Sequence, residues 1–75
     1  RDARYRPAKP TAMAFAVALE LPLEEAGKLL GKAGFTFSRA SRFDIIVEYF
    51  IVHGNYNIFA INEALFAFGQ SQLGG

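Results

Sequence analysis

Histidine and the acidic residues are the first side chains to consider for chemistry. His53 is the only histidine, and the chain contains no cysteine, so carboxylates alone would have to complete a transition-metal site. A histidine at the end of a helix is also favourably placed against the negative end of the helix dipole. We therefore interpret His53 as structural, and we expect neither a metal site nor a cofactor.

Asp44 and Glu48 have a spacing that could serve acid–base catalysis. Residues four apart lie on the same side of a helix, one turn from each other. A solvated polar strip accounts for the same spacing without any chemistry, and we favour that interpretation. The glycines at 27, 31 and 34 lie within or after a helical segment, so they do not form a phosphate-binding loop between a strand and a helix. We therefore expect a protein that is not an enzyme.

Residues 1–9 form a basic arm. The arm holds four cations and one acid, although the net charge of the whole chain is only +1. Cations just before a helix favour phosphate, because the unpaired N–H groups and the dipole of the helix N-terminus reinforce their charge. Contact with a nucleic-acid backbone would involve Arg4, Tyr5, Arg6 and Lys9. The alternative is a solvated, disordered terminus, and nothing in the arm is suited to reading base edges.

The composition predicts exposed apolar surface. Hydrophobic residues make up 52% of the 75 residues, and a domain of this length buries only about 60% of the surface that its unfolded chain exposes. Some of the excess must then face a partner or the rest of a larger domain. A start at Arg1 rather than Met suggests a processed or truncated product. The longest apolar run, residues 12–19, is shorter than the ~20 residues that span a bilayer, so we expect a cytoplasmic protein without a membrane partner.

Periodicity and capping residues predict an all-α fold, a small bundle of four helices over about 10–20, 22–33, 39–53 and 58–68. Residues that suit a helix start stand near the beginning of each segment, namely Pro10, Pro22, Ser38 and Asn57. Gly34 and Gly54 suit helix ends. Gly27 and Gly31 share one face and predict a close helix contact. The helical domain would cover 10–68, followed by a flexible tail over 69–75.

The third segment is the most ambiguous, because its apolar residues could also form a strand. An apolar-periodic run of about fourteen residues outlasts the usual strand of 4 to 8, which favours a helix. Its main stripe has the spacing of a face that packs on a core, and consists of Phe43, Ile46, Val47, Phe50 and Ile51. A second stripe lies where a surface helix would be polar. Together with two phenylalanines of the fourth helix it forms the predicted interface, which is Ile45, Tyr49, Val52, Phe59 and Phe66.

The first half of the chain resembles the C-terminal half of a Cro/repressor (XRE-type) helix-turn-helix domain, over roughly residues 4–35. The resemblance is carried by Arg6 and Pro7, by Lys9, Pro10 and Thr11, by residues 16–21, by Leu23, Glu24 and Glu25, by Leu29 and Leu30, and by Ala33, Gly34 and Phe35. Residues 41–51 and 62–68 are similar to a helical tail of uncharacterised bacterial proteins, some of which carry ADP-ribose-binding macrodomains.

This resemblance implies a DNA-binding ancestry, with two departures from the family pattern. The scanning and recognition helices would lie upstream of Arg1, so sequence-specific reading of DNA is not carried over. Only backbone positioning by Arg4, Arg6 and Lys9 remains, and Ala8 stands where the family has a capping Ser or Thr.

Two functions follow as hypotheses. The first is a non-catalytic interaction module, an accessory domain of a larger bacterial protein, which docks a protein partner or a second copy. The alternative is a nucleic-acid-binding remnant that acts through the arm.

Overall fold

The computed structural model describes residues 8–74. Within this range four helices follow one another, α1 (Lys9–Ala18), α2 (Leu23–Lys32), α3 (Arg42–Val52) and α4 (Ile58–Ala67). The described part of the chain contains no strand. The prediction of a small all-α bundle is therefore confirmed, and the ambiguous third segment is helical.

The four helices close a ring around one core. α1 packs on α2, α2 on α3, α3 on α4, and α4 again on α1. Every helix contributes wholly buried side chains, the largest of which are Met13, Val17, Leu30, Val47, Ile61 and Leu65. Burial of such side chains is the main source of stability in a chain without disulfides.

Side-chain caps start α3 and α4. Asn57 Oδ1 accepts the N–H groups of Phe59 and Ala60 at 3.0 and 3.2 Å, which confirms the predicted cap. For α3 the prediction was wrong, because the N-cap is Ser41, whose Oγ accepts the Asp44 N–H at 3.3 Å. Ser38 instead donates its own N–H to Asp44 Oδ2 at 2.7 Å. This bond holds residues 38–41 in a turn, so α3 begins three residues later than predicted.

All four helices end in the same way, with one residue in the left-handed region just after the helix. These residues are Glu20 (φ 54°), Gly34 (φ 87°), Gly54 (φ 70°) and Gly69 (φ 69°). Two backbone bonds of the Schellman type close each end, as where Phe35 N–H donates to Leu30 O and Gly34 N–H to Gly31 O. The predicted ends at Gly34 and Gly54 are confirmed. Glu20 is the exception, since it adopts this conformation with a side chain.

The glycines within α2 do not mark a close helix contact. A Cβ added at Gly27 or Gly31 would meet no atom within 4 Å. The prediction was wrong because α2 faces the core through Ala26 and Leu30, which lie on the adjacent face.

The C-terminal segment is not the free tail that the sequence predicted. Leu73 is buried in the core, and its N–H donates to Asn62 Oδ1 at 2.6 Å. The Gly74 N–H donates to the Pro10 carbonyl oxygen at 3.1 Å. These contacts place residues 73 and 74 between α1 and α4, so the helical body extends beyond residue 68. The segment packs on the helices because the apolar side chain of Leu73 is buried in the core.

Candidate interaction surface

α3 is apolar on two opposite faces, and only one of them is covered. Its inner side chains Phe43, Val47 and Ile51 are buried. The second stripe, here called the α3 face, consists of Ile45, Tyr49 and Val52, whose exposed fractions are 48%, 60% and 61%. The bundle has no fifth element that packs on this face among the described residues. Its apolar surface therefore remains in contact with water.

An open groove of ≈ 340 Å³, here called the α3–α4 groove, runs along one side of the α3 face. It is lined by Ile45, Ile46, Tyr49, Phe50, Ala64 and Phe68, and no polar atom contributes to its lining. The rings of Tyr49 and Phe50 meet edge to face, with their centroids 5.8 Å apart. Phe68 is 56% exposed at the far wall. The groove thus continues the apolar surface from α3 to α4.

A depression with a polar rim lies on the other side of the α3 face. It shares Ile45, Tyr49 and Val52 with that face and adds Arg39, Glu48 and His53. The His53 ring lies 4.2 Å from that of Tyr49, centroid to centroid. Its Nδ1 donates to the Tyr49 carbonyl oxygen at 2.8 Å. An apolar centre with charged groups at its edge is the usual composition of a protein interface.

Phe59 and Phe66 form a second and separate surface on α4. They are 83% and 73% exposed and share one face, because they lie seven residues apart. The groove residue Phe68 lies about 200° around the helix axis from Phe66, at ~100° per residue. The five predicted interface residues are all exposed, but they do not make one patch.

Phe68, Phe15 and Leu19 are exposed residues that the sequence prediction did not include. Phe68 has the helical spacing of the buried residues Ile61 and Leu65 of α4, so periodicity alone does not mark it as exposed. Phe15 and Leu19 belong to the nearly all-apolar α1, where no polar residue marks the outer face. Polar residues that recur at helical spacing are the signal that could have located this outer face, and α1 lacks them.

Asp44 is not part of a solvated strip. Its side chain is wholly buried, and its Oδ2 accepts the Lys9 ammonium at 2.6 Å and the Ser38 N–H at 2.7 Å. Glu48 is half-buried and lines the depression described above. The two carboxylates therefore have different environments. The prediction that both belong to a solvated polar strip was wrong for Asp44. Sequence reasoning missed this role because the partner of Asp44 lies 35 residues away.

The basic arm lies mostly outside the described residues, which begin at 8 and thus exclude Arg4, Tyr5 and Arg6. Lys9 is described, and its ammonium group donates to Asp44 Oδ2 and, at 2.9 Å, to the Thr36 carbonyl oxygen. A nucleic-acid phosphate would have to compete with the buried carboxylate for this cation. The structure thus brings Lys9 to α3.

The described residues contain neither a helix long and apolar enough to cross a membrane nor a cluster of three side chains suited to hold a metal ion. No protein-family model matches the chain, and neither the curated proteins nor the solved structures give a match. The resemblance to the repressor family accordingly stays a prediction.

Proposed function

We propose that the chain is a non-catalytic helical interaction module that docks a protein through the α3 face and the α3–α4 groove. The observation that carries the proposal is the uncovered α3 face, which lies opposite the buried side chains Phe43, Val47 and Ile51. The predicted bacterial origin, cytoplasmic location and role as an accessory domain of a larger protein belong to the same proposal.

Energetics support docking at this surface. Burial of a large apolar side chain contributes about 1.5–3 kcal/mol, and Ile45, Tyr49 and Phe68 are each about half exposed. Clustered apolar anchors of this kind supply most of the affinity at protein interfaces, especially where tyrosine is among them. A partner that covers this apolar surface and leaves the polar rim in contact with water would therefore form a more stable complex.

The charged rim supports a protein as the partner. Arg39 and Glu48 have opposite charges and both lie in the depression on one side of the α3 face. Opposite charges at the rim of an apolar patch favour a partner with a mixed surface and disfavour a uniformly charged polymer. The α3 face is thus better suited to a protein than to nucleic acid.

A photo-cross-linking amino acid placed at position 49 tests the proposal in cells that express the chain. We expect covalent protein adducts at this position because Tyr49 lies at the centre of the surface. The same amino acid at Lys28, which is exposed on α2 and 63% accessible, serves as the matched control and is expected to give none. Absence of adducts at 49, or equal adducts at both positions, would refute the proposal.

The alternative hypothesis of a nucleic-acid-binding remnant gains no support from the described residues, since Lys9 is engaged by Asp44. It remains testable through the arm.

A further inference from the structure

Positive charge is concentrated at one end of the α3 face. Arg42 is the first residue of α3 and is exposed. It precedes Ile45, Ile46 and Tyr49 by three, four and seven residues, so it lies on the same side of the helix, at the N-terminal end of the surface. Arg39, which is also exposed, lines the depression that adjoins the face. No lysine or arginine follows Arg42 in the sequence, so the rest of α3 and the whole of α4 lack one.

The nearby carboxylates do not cancel this charge. Asp44 is the acidic residue of the first turn of α3, but it is buried, and its Oδ2 lies 2.6 Å from the ammonium nitrogen of Lys9. Glu48 is half-buried and lies about 120° around the helix axis from Arg42, at ~100° per residue. Among the described residues neither Arg39 nor Arg42 forms an ion pair with a carboxylate. The exposed charge at this end of the surface is therefore positive and available to a partner.

We infer that the protein docked at this surface presents an amphipathic helix with a cluster of Asp or Glu at one end. Its apolar side chains lie in the α3–α4 groove, and its carboxylates meet Arg39 and Arg42. This inference rests on the proposed function, because it names the chemistry of the partner of the same surface. An amphipathic helix in an apolar groove is a common mode of recognition, and complementary charges fix the register in which it docks.

The dimensions and the lining of the surface fit such a helix. Ile45 to Val52 spans about 10 Å at ~1.5 Å per residue, so two turns of a partner helix cover the face with apolar residues at i, i+3 or i+4, and i+7. The groove of ≈ 340 Å³ has no polar atom in its lining, so it suits apolar side chains and offers nothing to a phosphate. An arginine can hold both oxygens of a carboxylate in parallel hydrogen bonds. A nucleic acid would neutralise the arginines but leave the apolar groove in contact with water.

Synthetic peptides test the inference in solution with the full chain. Three fluorescein-labelled peptides of about four helical turns share the same apolar positions. One has Glu in its N-terminal turn, one has Glu in its C-terminal turn, and one has Gln at all of these positions. Fluorescence anisotropy at low salt measures their binding. We expect one of the two acidic peptides to bind about fivefold more tightly than the Gln peptide, because each of two exposed ion pairs adds a modest gain.

Variants of the chain locate the source of this preference. Arg39→Gln combined with Arg42→Gln should abolish the preference and leave the affinity for the Gln peptide unchanged. Lys28→Gln combined with Lys32→Gln is the matched control, since it removes the same charge from exposed positions on α2 and should preserve the preference. Tyr49→Ala should weaken the binding of all three peptides, because it removes the aromatic anchor at the centre of the surface. Far-UV circular dichroism verifies that every variant is folded.

Several results would overturn the acidic helix as partner. They are equal binding of the acidic and Gln peptides, a preference that survives the double arginine variant, no binding of any peptide, or duplex DNA that binds through Arg39 and Arg42 more tightly than either acidic peptide. Equal binding that still depends on Tyr49 refutes only the acidic character of the partner and leaves the proposed function intact. Absence of protein adducts in cross-linking at position 49 refutes the proposed function itself.

Discussion

The ammonium nitrogen of Lys9 lies 2.6 Å from Oδ2 of Asp44, and this contact joins the first turn of α1 to the first turn of α3. The side chain of Lys9 is 23% exposed, whereas that of Asp44 is buried. Ser38 donates a second hydrogen bond to the same oxygen, and Oδ1 is buried without a partner among the described residues. Both hydrogen bonds to the carboxylate are therefore made to one of its two oxygens, Oδ2.

Lys9→Met is expected to lower the free energy of unfolding by about 2–4 kcal/mol, because it leaves a buried carboxylate without its cation. Urea unfolding followed by circular dichroism measures the change. The double variant Lys9→Met with Asp44→Asn should be more stable than Lys9→Met alone, since the asparagine oxygen still accepts the Ser38 N–H and no buried charge remains. A double variant no more stable than Lys9→Met would contradict this role for the ion pair.

Glu20→Gly is expected to raise the free energy of unfolding by about 1 kcal/mol. Glu20 has a φ of 54°, a conformation that glycine adopts without the steric penalty of a side chain. Glu63→Gly is the matched control, since Glu63 is exposed within α4, and there glycine should lower stability by about 1 kcal/mol. Thermal unfolding compares the two variants, and a loss of stability in both would show that the left-handed conformation imposes no strain.

Gly27→Ala and Gly31→Ala are each expected to raise the free energy of unfolding by about 0.5–1 kcal/mol, because both positions are helical and have open space for a Cβ. Gly54→Ala should have the opposite effect, since its φ of 70° is left-handed. Urea unfolding is again the measurement. Destabilisation by Gly27→Ala or Gly31→Ala would mean that this face of α2 contacts a partner or another segment.

Leu73→Ala is expected to lower the free energy of unfolding by about 2 kcal/mol, since it removes a buried side chain from the core. Gln72→Ala changes an exposed neighbour and should have little effect. Hydrogen exchange at the Leu73 N–H, which donates to Asn62 Oδ1, reports on the same contact. Equal stability of both variants would restore the prediction of a free tail.

The nucleic-acid hypothesis makes its own prediction for Arg4→Ala combined with Arg6→Ala. If the arm neutralises phosphates, the variant should bind more weakly, and the slope of log affinity against log salt should fall by about 2. Lys9→Met should change that slope little, because Asp44 already engages the ammonium group. Fluorescence anisotropy with duplex DNA provides the measurement, and unchanged binding of the arginine variant would exclude this function for the arm.

Local signals in the sequence predicted most of the helical architecture. The Asn57 cap and the ends at Gly34 and Gly54 depend on contacts within a few residues, so their residue types are sufficient to locate them. The same holds for the α3 face, since an apolar stripe opposite a complete core stripe is visible in the spacing alone. The start of α3 was missed because Ser38 and Ser41 are equally good caps locally. In the structure Ser41 caps the helix, whereas the Ser38 N–H and the Lys9 ammonium group both donate to Asp44 Oδ2.

The sequence by itself determined that there are four helices, where most of them end, and that one helix has more apolar surface than one core contact can cover. Only the tertiary structure decided that Phe66 and Phe68 face different surfaces, that Leu73 belongs to the core, and that Asp44 is buried against Lys9. Helix formation and capping depend on neighbours one turn away. The surface to which an exposed side chain belongs depends on how each helix is rotated against segments far along the chain, which no local pattern specifies.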